Sequence, residues 1–149
     1  MDCEAKAEEL LGRERYLIDI FPERVPEKAD GRYFGAERIL REDMADFGRK
    51  IRNIVLKLYC YCDMTAVSEE GTEINPPAEL LADMVGRCYS TGEGTGYLHI
   101  ILPEHDSMLV INRGDLYAEL CAPDERLKKL VADLARAEGL FFVRAETQD

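Results

Sequence analysis

Six apolar positions, Leu40, Met44, Phe47, Ile51, Ile54 and Leu58, recur at alternating steps of four and three residues. That spacing keeps one narrow stripe on one side of an α-helix, and such a stripe has to be buried against something. The pattern predicts a long helix from near Glu37 to about Cys62, with its stripe lying across a sheet or against a second copy of the chain. From Leu58 onward the sequence also alternates as a strand would, Cys60 and Cys62 on one face and Tyr59 and Tyr61 on the other. No Gly, Pro or capping residue divides the two readings, and we place helix there.

The remaining pattern is shorter-ranged. Residues 3–13 are rich in helix formers and offer only Leu10 and Leu11 as an apolar patch. Tyr16 to Phe21 alternates and predicts a strand, stopped by Pro22 and Pro26, which open a loop to about Tyr33. Residues 66–76 read as a polar, acidic loop. Asn75 or a neighbouring residue is placed to cap the next helix, which runs to about Tyr89 with Leu80, Leu81, Met84, Val85 and Cys88 on its apolar side. Three strands follow, Tyr97–Leu102, Met108–Ile111 and Leu116–Leu120, joined by turn-rich segments. Pro123 opens a last helix that Gly139 should close in a left-handed cap, and Leu140 to Val143 forms a final strand. The expectation is one α+β domain over residues 1–149. Its mostly antiparallel sheet of about five strands is covered on one face by about four helices, one of them long and amphipathic.

Size and charge narrow the function. A 149-residue chain that is 46% hydrophobic can bury a real core. Thirty acidic against nineteen basic side chains leave a net charge of -11, which disfavours nucleic-acid phosphates and anionic lipid as partners. No apolar run is long enough to span a bilayer, and the first residues are acidic where a secretory leader is basic and then apolar. Five cysteines, an odd number, fit reduced thiols in a cytoplasmic protein.

Candidate chemistry is sparse. Ser90, Thr91, Gly92, Gly94 and Gly96 form a glycine-rich stretch that could let backbone amides approach an anion. Its order, however, is helix, glycines, strand, so it presents a helix carboxyl end, and no Lys follows. Arg49 and Arg52 on the long helix are the basic groups that would complete such a site for a phosphate or carboxylate ligand. Cys60-x-Cys62, Cys88, Cys121, His99 and His105 lack zinc-site spacing, and the pattern implies neither a metal nor a cofactor. His105, Asp106 and Ser107 are adjacent in sequence, whereas triad members converge from separate segments. Arg113-Gly114-Asp115 reads as a hairpin turn.

Charge is segregated along the chain. Residues 32–58 hold seven basic and four acidic side chains, whereas residues 59–86 hold six acids and no base. Pairing between these two segments is the expected outcome. The profile resembles that of small acidic inhibitors, immunity proteins and antitoxins: a non-catalytic interaction module, with a protein partner or a second copy docking through the acidic surface or the seam. A small-molecule binder or enzyme using Ser90–Gly96 and the helix arginines is the alternative.

Overall fold

The computed structural model describes residues 2–90 and 96–145. Helix α1 (Cys3–Leu11) starts at Asp2, whose carboxylate accepts from the amides of Glu4 and Ala5. Strand β1 (Arg15–Asp19) follows, then a loop through Pro22 and Pro26 to helix α2 (Asp30–Leu40). A 3₁₀ turn, Arg41–Asp43, leads into α3 (Met44–Tyr59). A hairpin, β2 (Thr65–Ser68) and β3 (Gly71–Ile74), precedes α4 (Ala78–Cys88). The meander β4 (Tyr97–Leu102), β5 (Ser107–Asn112) and β6 (Tyr117–Cys121) leads to α5 (Glu125–Ala137) and β7 (Phe141–Arg144).

The strands make one sheet in the order β3-β2-β4-β5-β6-β1-β7, with every neighbouring pair antiparallel. The α+β class expected from the pattern is what forms, with seven strands rather than about five. The two added strands come from the segment expected to be a loop. Ala66 and Val67 are each buried, on opposite faces of β2, while all four residues of β3 are exposed at the sheet edge. An edge strand needs no apolar side, so its polar sequence hid it. Asn75 does not cap α4. It takes a left-handed conformation (φ 45°), and its side chain accepts from the Met64 amide at 2.9 Å, tying the end of the hairpin to the start of β2.

Two further expectations are corrected. The long helix from Glu37 to about Cys62 is two helices, because Asp43 leaves helical angles (φ -102°, ψ 29°), and α3 ends at Tyr59 with neither helix nor strand over residues 60–64. The polar triplet Arg41-Glu42-Asp43 brings no apolar contact to the break, and no residue described in α2 is buried, so packing does not hold the two helices in line. The sheet is also not covered on one face alone. Helices α3, α4 and α5 seal one face, packing Phe47, Ile51, Ile54, Leu58, Leu81, Val85, Leu127 and Val131 onto Ile18, Leu98, Ile100, Leu109, Ala118 and Leu120. On the other face α1 sets Ala7 and Leu10 against Val67, Ile101, Met108, Val110 and Cys121.

Gly48 and Gly139 matter at specific places. A Cβ on Gly48 would lie 2.6 Å from the Cβ of Tyr89, so α3 and α4 approach as closely as they do only because residue 48 has no side chain. Gly139 takes φ 77° and lets the Leu140 amide reach back to Ala135 O at 2.9 Å, the helix end expected from the sequence. Among the described residues no helix is long and apolar enough to cross a membrane.

Candidate functional site

Where α1 ends, the second face of the sheet is left open over β6, β1 and β7, and a wide cleft forms there. Strand alternation sets its floor: Leu17 lies between Glu119 on β6 and Val143 on β7, and Asp19 lies opposite Tyr117. The proline-bounded loop after β1 rises as one wall, and α2 returns above it. Tyr33, Phe34, Glu37, Leu40 and Arg41 occupy positions i, i+1, i+4, i+7 and i+8, so one face of α2 and of the turn after it looks into the hollow. The space enclosed is about 1170 Å³. Phe34 is 64% exposed and Leu40 41%, so this face is not packed onto the floor below it.

Five arginines line the cleft, Arg13, Arg15, Arg24, Arg41 and Arg144, and three of them pair with acids of the same cleft. Arg15 meets Glu119 at 2.9 Å, Arg144 meets Glu14 at 3.2 Å and Arg41 meets Glu37 at 3.5 Å. Arg41 also donates to Gly114 O, and Tyr33 donates to Glu37 at 2.8 Å. Two further carboxylates bond to neutral groups. Asp19 accepts from the amides of Ile20 (2.6 Å) and Phe21 (3.3 Å), and Asp115 is hydrogen-bonded with Tyr117 and Asn112. Burial raises the pKa of both carboxyls against the opposing pull of those hydrogen bonds. The Tyr117 phenol is raised too, first by burial and then by the nearby Asp115, Glu119 and Asp19. Tyr33 is raised chiefly by its bond to Glu37. The hollow is therefore lined by aromatic rings and by negative charge that the protein only partly compensates. A cationic group with apolar flanks is the ligand chemistry that relieves both features.

Of the residues expected to form a ligand loop, Ser90 and Gly96 are described. Thr91, Gly92 and Gly94 lie outside the described residues. Ser90 donates to Arg87 O at the end of α4, and Gly96 O accepts from the Arg113 amide at 2.8 Å. Gly96 borders a smaller hollow of about 320 Å³ with Arg87, Arg113 and Tyr97, and neither Arg49 nor Arg52 lines it. Arg49 pairs with Asp46 at 2.7 Å and Arg52 donates to Asn53, both on α3 itself.

The seam expected to form an interface packs mostly within the chain. Phe47, Ile51, Ile54 and Leu58 are buried in the chain's own core, Met44 packs at its margin and only Leu40 reaches the cleft. Pairing between the basic and acidic segments does not form among the described residues. Arg49 and Lys50 bond Asp46 and Lys57 bonds Glu138, while Glu70 and Asp83 bond Arg87.

The other candidates resolve into structural roles. His105 Nδ1 lies 2.6 Å from Asp124, the capping residue of α5, but the Ser107 hydroxyl donates to the carbonyls of His105 and Ala122 and so is not joined to the imidazole. Burial pushes the Cys62 and Cys121 thiols up to about 11 and raises Cys88, which leaves them protonated at neutral pH. Arg113-Gly114-Asp115 forms the turn between β5 and β6, with Gly114 at φ 85° and Asp115 delivered to the cleft.

The chain matches no protein-family model, no curated protein and no solved structure. The geometry of the cleft is thus the ground for a functional reading. Sequence reasoning missed it, although a signal existed. Asp19 is the lone charged residue in the run Tyr16–Phe21, and Tyr117 and Glu119 alternate with the apolar Ala118 and Leu120, marking a sheet face that carries polar groups at low exposure.

Proposed function

We propose that the chain is a non-catalytic protein-interaction module of the inhibitor, immunity-protein or antitoxin kind, acting in the cytoplasm, and that it receives a basic, partly apolar segment of a different protein in the cleft beneath α2. The observation that carries this reading is the unpacked face of α2, with Phe34 and Leu40 exposed above a floor bearing Asp19, Asp115 and Glu119. Exposed aromatic and aliphatic groups beside partly buried carboxylates suit an arginine or lysine flanked by apolar side chains, and the net charge of -11 steers such a segment in. The same charge argues against nucleic acid and anionic membranes as partners. Burial of the seam from Phe47 to Leu58 favours a different protein over a second copy.

The test is selection from a random peptide display library on the wild-type chain, followed by affinity measurement on a Phe34→Ser, Asp19→Asn double variant. The expected result is enrichment of basic peptides with apolar neighbours whose binding falls at least tenfold on the variant, about 1.4 kcal/mol. Peptides without basic residues, or equal binding to both proteins, would overturn the proposal. A small-molecule role is then the reading to take up.

A further inference from the structure

We propose that residues 20–43 form a hinged lid, and that α2 closes onto the sheet by lowering Phe34 and Leu40 toward Leu17 and Val143. The inference concerns the free chain and does not depend on the identity of any partner.

Four observations converge on it. First, no residue described in α2 is buried, and the helix packs mainly against the short turns that flank it, Glu27–Ala29 and Arg41–Asp43. A segment with so little buried area sits at the low end of local stability. Second, the face it turns toward the sheet carries Phe34 and Leu40 beside Glu37, and the floor beneath carries Leu17 and Val143, both only half-buried, beside Asp19 and Glu119. Phe34 and Leu40 thus face Leu17 and Val143 across an open gap, and bringing these four together removes them from water. Third, both ends of the segment can pivot. The loop at one end is bounded by Pro22 and Pro26 and makes no sheet pairing, and Asp43 at the other end already stands outside helical angles. Fourth, the Tyr33 ring meets Phe21 at 6.1 Å within the segment itself, and the bond from Arg41 to Gly114 O ties the segment to the body at its far end. The middle of α2 is left to swing.

One side chain on the same helix supplies the control. Ile39 is 61% exposed and does not line the cleft, so closure leaves it in solvent. The chain contains no tryptophan, so Phe34→Trp and Ile39→Trp each create a single emitter. Quenching by acrylamide then reads the lid directly. The expected result is a shielded, blue-shifted component for Phe34→Trp that is absent for Ile39→Trp. Adding Leu17→Lys, which places a charge on the floor, should abolish that component and return the emission to that of an exposed indole.

Two results would overturn the lid: equal quencher access for both emitters, or a shielded component that survives Leu17→Lys. Far-ultraviolet circular dichroism shows whether the Lys variant folds. If it does not, Val143→Lys on the edge strand replaces it, with the same two outcomes.

Discussion

The two faces of one sheet are built by the same strands and end up doing different things. Strands β1 and β6 give Ile18, Ala118 and Leu120 to the face beneath α3, α4 and α5, where all three are essentially inaccessible. The same strands give Leu17, Asp19, Tyr117 and Glu119 to the other face, where α2 stands above an open cleft. The difference lies in the covering helices. Helix α3 carries an apolar residue at every turn of its inner side and is held by them, whereas α2 leaves Phe34 and Leu40 exposed and is followed at once by Arg41, which bonds Gly114 O on the body. Stability is concentrated on the first face, which leaves the second free to bind and to move.

The sharpest way to break this comparison is to make the same kind of cut on both sides. Ile54→Ala removes most of a fully buried side chain from the sealed face and should cost about 2–5 kcal/mol, read as a lower urea midpoint. Phe34→Ala, the larger truncation, should cost well under the Ile54→Ala loss, because the ring is in solvent whenever α2 stands open above the sheet. Comparable losses at the two positions would mean that α2 is a structural helix and not a binding element.

A second variant probes how tightly the sealed face is fitted. Gly48→Ala would normally stabilise a helix interior by about 1 kcal/mol. Here the new methyl meets the Tyr89 Cβ and Cγ at 2.6 and 2.9 Å, and Tyr89 is itself wedged edge-on against Phe47 with ring centroids 5.3 Å apart. Overpacking of this sort costs about 1–3 kcal/mol, so the net effect should be destabilising. Thermal denaturation that shows a higher midpoint would mean that the α3–α4 contact is loose.

Periodicity made the sealed face legible and left the open one obscure. The stripe from Phe47 to Leu58, the apolar sides of α4 and α5, and the meander strands all announced themselves, because each buries one side and water enforces the pattern. Where burial relaxes, the pattern stops informing. The apolar spacing runs back through Met44 to Leu40, yet the helix breaks at Asp43, since spacing records only which side is apolar and not whether anything lies against it. The hairpin strand Gly71–Ile74 was unreadable for the same reason, being exposed throughout. The cleft joins residues from β1, β6, β7 and α2, and that convergence depends on β1 inserting between β6 and β7. Nothing local in the chain encodes that insertion.

The gentlest probe of the comparison is Asp19→Asn, which asks whether the open face is maintained at a cost. The Asp19 carboxyl sits on the cleft floor with burial raising its pKa, so the folded state holds its proton more tightly than the unfolded state does. Its favourable contribution is therefore fully present below the unfolded pKa, about 3.9, and is lost as pH rises through the raised folded value. Asn keeps a side-chain oxygen for the amides of Ile20 and Phe21 and has nothing to ionise. The variant should match the wild type at about pH 3.5, gain on it as pH rises and hold a small constant advantage at neutral pH. Urea midpoints measured across that range check the sign. If the two curves run parallel, Asp19 carries no ionisation penalty. A gap that opens with pH means that this face retains a charge that folding disfavours, as expected where a carboxylate is kept for a ligand rather than for the fold.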